Sequence, residues 1–546
     1  MFKFRIAIIG NPNKTDTRYD DSQLSALKKA GFNTVQLNIA WGPRPNDEPL
    51  NLEDIISPQR EEVLPRVVER FNEIKRRAVA CKKYGFRTIF HFGAPNLYQL
   101  YLSLRKRKID EMTEKFSIQK HEIIKKYQYL LTELAARIPE VDDILVYTFD
   151  QEAWIGSEFG DDRLARGIPV HERLPQFVTA LCGKWAELKP AGIMWWEPWE
   201  LSAGQIYQMI DKLPTSNFGY MLHSNIAEVQ ATNPVDTWLR NMAYLAEKKG
   251  VPVGVELFLG CTSEELQPLD NIPCPRVVYN QLERVGSLKS VTAVKEYFGL
   301  LPDINDPNFK IAGVVFTNPG IEYDKAVQSL ADEYGDSKVD IRIAWDTVAD
   351  GMYLFPWDAA WTLRRFGSRR LYPHGWDGFT LSGRVATSPS WKSTRRAVFM
   401  TTETEKLHPW FYEDLALRMD LAADKFESAA VMFEDLSLRV PVKFKADVLL
   451  WSRDTGQLGI ITRDWQYHMQ ETLVAYNIRR VLDTGEAVPE EWYQRLRGFL
   501  IKDRDNRKKL GAITNEKVEP IDGIISEYDT SPAEWVHKYL NIEFGS

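Results

Sequence analysis

The 546-residue chain lacks several common signatures. Its four cysteines, Cys81, Cys182, Cys261 and Cys274, include no Cys-x-x-Cys pair. That spacing argues against a disulfide framework or a zinc site and for reduced, structural thiols. No Gly-x-Gly-x-x-Gly follows an early strand, and no P-loop is present, so nucleotide-phosphate cradles are not expected. There is no long basic run, and the formal net charge is -7. Nucleic acid is therefore not an expected partner, because phosphate binding needs a positive surface. No stretch approaches the roughly 20 apolar residues that span a bilayer, so no membrane partner is expected. The opening MFKFRIAIIG carries only a short apolar stretch with no small-residue cleavage site. It reads as a first strand rather than a signal peptide, which makes a cytoplasmic location the expectation.

What is present is ordinary in bulk and unusual in aromatics. Apolar residues make up 44% and charged residues 27%, as in a water-facing globular protein. There are 17 Trp and 22 Tyr. Aromatic faces stack on the C–H faces of sugars, but they also fill cores. The length implies one large domain and a second.

Over the first 320 or so residues, short apolar runs alternate with amphipathic stretches. Eight candidate strands lie at 4–10, 34–42, 87–95, 143–152, 191–200, 218–225, 252–260 and 312–320. Between them stand helical patterns such as SQLSALKKAGF, VVERFNEIKRRAVACKKYGF, VDTWLRNMAYLAEKKG and QLERVGSLKSVTAVKEYFG, the second closing on Tyr-Gly and the third on Lys-Gly. Eight such units predict an α/β fold, a (β/α)8 TIM barrel over residues 1–335. From about residue 340 the periodicity is 3.6, predicting a mainly α-helical C-terminal domain over 336–546. That half reads as structural or homo-oligomerising. Its FPWDAAWTLRRFG stripe reads as core, the segment 366–400 as a loop, and the polar NRKKLGAITNEKVEP as irregular.

Barrel active sites lie at the C-terminal strand ends. Strand four ends in Asp150-Gln151-Glu152, and strand five carries Glu197 and Glu200 among Trp195, Trp196 and Trp199. Strand six ends near His223 and Asn225, and strand seven contains Glu256. With Glu152 in the lumen, alternation also puts Val146, Thr148 and Asp150 inward and Leu145, Tyr147 and Phe149 outward. With Glu256 inward, Gly254 is inward too, and Val251, Val253 and Val255 face the helices.

A Glu closing strand four and a Glu on strand seven resemble the clan A glycoside hydrolases. The resemblance covers the barrel and rests on layout. It implies Glu152 as general acid/base and Glu256 as nucleophile, in PVGVELFLG, a looser version of that clan's P-x-x-x-T-E-x-G. Gln151 stands where the clan has an Asn that touches the sugar 2-hydroxyl. Trp41, His91, Trp196, Trp199 and His223 are candidate sugar contacts, with Glu197 among the substrate-binding residues. Asp150 would hold an arginine or raise the pKa of Glu152. The resemblance implies a retaining glycosidase with a carbohydrate substrate and no cofactor.

Other readings compete. Family 18 chitinases carry D-x-x-D-x-D-x-E on strand four. Aligned on Glu152, Asp150 fits, but Thr148 and Leu145 replace two Asp. An inverting enzyme would pair Glu152 with Glu197 or Glu256 across a wider gap. A non-catalytic carbohydrate-binding barrel would keep the tryptophans without the acids. A metal-dependent isomerase or lyase would use His91 and His223, for which no third ligand stands at convincing spacing, so no metal is expected.

Overall fold

The structure, a computed structural model, describes residues 2–10, 18–39, 48–49, 51–56, 65–95, 117–147, 158, 163–198, 201–223, 231–260, 269–301, 303–357, 409–514 and 522–539. Trp41, Asp150, Gln151, Glu152, Trp199, Cys261 and the segment 366–400 lie outside the described residues. The chain forms two compact units. The first comprises the described residues of 1–260 and 278–321, and the second those of 269–277 and 322–539.

The first unit is a closed barrel of eight parallel strands in chain order. In sequence its elements are β1 (Phe4–Ile8), α1 (Asp21–Lys29), β2 (Thr34–Gln36), α2 (Pro65–Lys83), β3 (Arg87–Gly93), α3 (His121–Arg137), β4 (Asp143–Tyr147) and α4 (Val170–Leu188). There follow β5 (Met194–Glu197), α5 (Ala203–Met209), β6 (Phe218–Leu222), α6 (Thr237–Lys249), β7 (Val253–Leu257), α7 (Pro275–Gly286), β8 (Val291–Glu296) and α8 (Pro307–Thr317). Local signals set the helix ends. Asp20 caps α1 by accepting from Gln23 N, and Asp236 caps α6 by accepting from Leu239 N. Lys28 and Lys29, and Lys248 and Lys249, close the same helices where the dipole favours cations.

The eighth strand is not where periodicity placed it. VTAVKE (Val291–Glu296) is β8 and closes the barrel, with Phe4 opposite Ala293. The expected strand 312–320 falls mostly in α8. Asp306 caps that helix through Asn308 N, and Pro307 occupies its first turn. Its residues are buried nearly all round, so their apolar run imitates a strand.

Phe4, Ile6, Ile89, Leu145, Trp195, Met221 and Ala293 fill the barrel interior, and Phe4 meets Trp195 edge-on at 5.6 Å. Two glycines make room for the large side chains. A Cβ on Gly219 would lie 2.6 Å from the Trp195 ring, and one on Gly254 would lie 2.8 Å from Met221 Cε. These contacts fix parity. On β7, Gly254 and therefore Glu256 face inward, as alternation predicted. On β4 the expected parity is reversed: Leu145 packs in the interior, so Val146 faces the helices. A barrel lumen is a packed core and takes large side chains at its floor. β4 is described as far as Tyr147, and Thr148, Asp150 and Glu152 lie outside the described residues.

The second unit is helical: α9 (Tyr323–Ala331), α10 (Lys338–Leu354), α11 (Pro409–Leu436), α12 (Lys445–Thr484), α13 (Glu490–Thr514), α14 (Asp522–Thr530) and α15 (Pro532–Tyr539). Tyr334 stacks on Phe444 at 4.2 Å, and Trp345 meets Trp451 at 6.2 Å. A further cluster joins Val474, Ile478, Leu496, Leu500, Ile525, Tyr528 and Trp535. Of the FPWDAAWTLRRFG stripe, Phe355 and Trp357 are buried, and its residues beyond 357 lie outside the described residues. The segment 506–514, expected to be irregular, continues α13. Arg507 explains this: it is buried among acids contributed by α12 and α13. Cys81, Cys182 and Cys274 are buried. Among the described residues no helix is long and apolar enough to cross a membrane.

Candidate active site

The C-terminal ends of β3 to β8 carry the polar side chains of the lumen. Tyr147 on β4 pairs in register with Glu197 on β5, and Glu256 on β7 pairs with Lys295 on β8. His223 directly follows β6 on the same face as Met221. His91 comes from β3, and its backbone N–H and carbonyl are both bonded to the Asn38 side chain, at 3.1 and 2.8 Å. That amide ties the ends of β2 and β3 together and sets the height of His91.

Glu197 is the centre of this group and is 1% exposed. His223 Nε2 lies 3.5 Å from its Oε1, and His91 Nε2 lies 3.9 Å from its Oε2. An oxygen of Glu197, a nitrogen of His223 and an oxygen of Glu256 all lie within 4.8 Å of one another. Lys295 Nζ donates to Glu256 Oε1 at 2.6 Å, with both side chains 0% exposed. Among the described residues Glu256 Oε2 has no hydrogen-bond partner. Burial pushes the Glu256 carboxyl up to about 7. Lys295 opposes that rise, Glu197 adds to it, and His223 opposes it again. Tyr297, just past β8, faces His223 at 5.6 Å and Phe258 at 5.4 Å between ring centroids. The His91 ring meets Tyr147 edge-on at 6.1 Å.

Of the residues anticipated from sequence, the fold thus gathers His91, Glu197, His223 and Glu256. Trp196 is corrected. It lies on the opposite face of β5 from Trp195 and Glu197, packed 6.2 Å from Phe218 and 5.9 Å from Tyr220 between ring centroids. Strand alternation that sends Glu197 inward sends Trp196 out toward the helices, away from any sugar in the lumen. Tyr147, Lys295 and Tyr297 were not anticipated. Lys295 was hidden because VTAVKEYF was read as helix, although Val291, Ala293 and Lys295 alternate as strand residues do.

Glu197, His223 and Glu256 form a group of metal-type donors that does not include His91. A second group of metal-type donors, Asp464, His468 and Asp503, lies within 4.8 Å in the helical unit. There the Arg507 guanidinium already fills the cation's place. Its Nε is 2.9 Å from Asp503, and its Nη2 is 3.1 Å from Asp464 and 2.5 Å from His468 Nε2.

Comparison with known proteins gives a likeness of fold. No family model matches the chain, and no curated protein matches its sequence. Among solved structures, a GH138 enzyme targeting pectin rhamnogalacturonan II superposes with a TM-score of 0.63 at 10% identity, covering 95% of this chain. The chain spans only about 63% of that protein's length. An O-GlcNAc hydrolase of Thermobaculum terrenum matches with a TM-score of 0.41 at 11% identity, covering 98% of each chain. At 10% identity the first likeness establishes the shared architecture.

Proposed function

We propose that this chain is a glycoside hydrolase that cleaves O-glycosyl bonds at the C-terminal mouth of its barrel. One observation carries the reading: carboxylates from β5 and β7 converge within 4.8 Å, with a histidine within the same distance of both and a lysine on one of them. Two carboxylates about 5–5.5 Å apart are what a retaining mechanism needs. The fold shared with a GH138 enzyme agrees with this reaction class.

Glu256 is the proposed nucleophile. It must be ionised to attack the anomeric carbon, and Lys295 supplies the charge that favours ionisation inside a dry lumen. Glu152 is the proposed acid/base, protonating the leaving oxygen and then taking a proton from the water that releases the sugar. The proximity of Glu197 to Glu256 supports a second assignment, in which Glu197 fills that proton-transfer role. His91 and His223, held against Glu197, would bind sugar hydroxyls or set its protonation.

The test uses Glu152→Gln, Glu197→Gln and Glu256→Gln with a panel of aryl glycosides and pectic oligosaccharides. Loss of each essential carboxylate should lower kcat/KM by about 10³-fold or more while sugar binding persists. Azide added to Glu256→Ala should form a glycosyl azide of inverted anomeric configuration, marking the nucleophile. Azide added to the acid/base variant should form the retained anomer. A Glu256→Gln protein with undiminished turnover removes Glu256 from the mechanism. Sugar binding without turnover in the unaltered protein would make it a carbohydrate-binding barrel.

A further inference from the structure

Glu296 is buried and carries a carboxylate that the mechanism above does not use. Its Oε2 accepts the backbone N–H groups of Leu259 at 2.8 Å and Gly260 at 3.2 Å, in the turn after β7. Its Oε1 accepts those of Phe298 and Gly299, each at 3.1 Å, in the turn after β8. One oxygen therefore grips each turn. Among the described residues no Lys, Arg or His forms an ion pair with it.

A buried carboxylate normally needs a cation beside it. Here four amide dipoles aim at it instead, and its charge belongs to the backbone of two turns. Both turns adjoin the candidate catalytic residues. The β7 turn starts at Phe258, next but one to Glu256, and the Gln281 side chain bonds both backbone groups of Phe258, at 3.0 and 3.3 Å. The β8 turn starts at Tyr297, which faces His223 and Phe258 and donates its N–H to Leu257 O at 2.8 Å. Lys295, the residue before Glu296, is the partner of Glu256.

We infer that Glu296 is a positioning residue: it staples the turns after β7 and β8 to each other, so that Glu256, Lys295 and Tyr297 keep the geometry the reaction uses. Its consequence for catalysis rests on the glycosidase reading, whereas the staple itself rests on the four hydrogen bonds alone. A displacement of about 1 Å at a reacting group can lower rate about 10²-fold, so a small loosening is measurable.

The test compares the unaltered protein with Glu296→Gln, in which an amide NH2 replaces one oxygen and meets two N–H donors. Glu296→Asp, which keeps the charge but falls one methylene short, serves where the first variant does not fold. Amide hydrogen exchange of residues 259, 260, 298 and 299 is expected to accelerate at least about 10-fold, well below the unfolding temperature. On any glycoside the unaltered protein cleaves, kcat is expected to fall about 10²-fold with KM within about threefold. Unchanged exchange overturns the proposal, and so does faster exchange with unchanged kcat. If the unaltered protein cleaves no glycoside, the glycosidase reading fails separately. The staple is then judged by exchange together with isotope-edited infrared titration of the Glu256 carboxyl. A shifted titration in Glu296→Asp, which keeps the charge, supports positioning, and an unshifted one overturns it.

Discussion

Lys295 Nζ stands 2.6 Å from Glu256 Oε1, and neither side chain is exposed. Removing one partner of a buried pair leaves the other as an uncompensated charge, at a cost of about 3–5 kcal/mol. The cost depends on pH in a definite direction. Burial raises the folded-state pKa of Glu256 above its ordinary value, to about 7. The stabilising contribution of that group is fully present below the ordinary carboxylate range and is lost as pH rises through about 7. Lys295→Met should therefore lose about 3–5 kcal/mol at pH 8 and much less at pH 5, where Glu256 is protonated. Urea unfolding at both values measures this. Equal losses would contradict the pairing.

The same carboxyl sets an expectation for rate. If Glu256 attacks as a carboxylate, kcat/KM should rise with pH along a limb centred near 7. In Lys295→Met the limb should move to higher pH, because the charge that favours ionisation has gone. A limb that stays in place would assign it to another group.

Trp196 supplies a negative prediction. Its ring packs against Phe218 and Tyr220 on the helix-facing side of β5. Trp196→Ala should cost about 3–5 kcal/mol of stability, yet leave KM for a cleaved glycoside unchanged in the folded protein. A KM raised tenfold with little stability loss would return Trp196 to the substrate site.

The two interior glycines should differ. Alanine at Gly219 would put a Cβ 2.6 Å from a ring that is locked in the barrel core, whereas at Gly254 it meets the flexible end of Met221. Overpacking of this kind costs about 1–3 kcal/mol. Gly219→Ala should fall at the upper end and Gly254→Ala at the lower end, measured as differences in unfolding free energy. The reverse order would show that the Trp195 ring yields more readily than Met221.

In the helical unit, burial pushes His468 down to about 4, from an ordinary 6.5. Folding thus holds this imidazole neutral, and stability is lost as pH falls from about 6.5 to about 4. Burial raises Asp464 and Glu471, whose protonation acts in the opposite direction. His468→Gln isolates the histidine. The unaltered unit should lose about 2–3 kcal/mol more than the variant between those pH values. Parallel losses would mean that His468 takes up no proton on unfolding.

Sequence reading reached the barrel because its cues are local. Apolar runs, capping residues and Lys-Gly stops act over a few neighbours, and seven strands lie within the predicted spans. It misplaced the eighth because α8 is buried almost all round and lost its polar face, while β8 carries a lysine and a glutamate in the run VTAVKE. Glu256 was legible, since a carboxylate among valines makes sense only inside the lumen. Leu145 was not, because alternation states that two faces differ without saying which one is inside.

The chain alone determined where its helices begin, which strand ends carry acids, and that strands and helices alternate, since each follows from side-chain chemistry within a turn or two. Only tertiary closure decided that Trp195 points in and Trp196 out, that Lys295 meets Glu256 from 39 positions away, and that Glu197 stands between two histidines. Those relations depend on the register of neighbouring strands around a closed barrel, and register is a property of the whole sheet, to which no single segment holds the key.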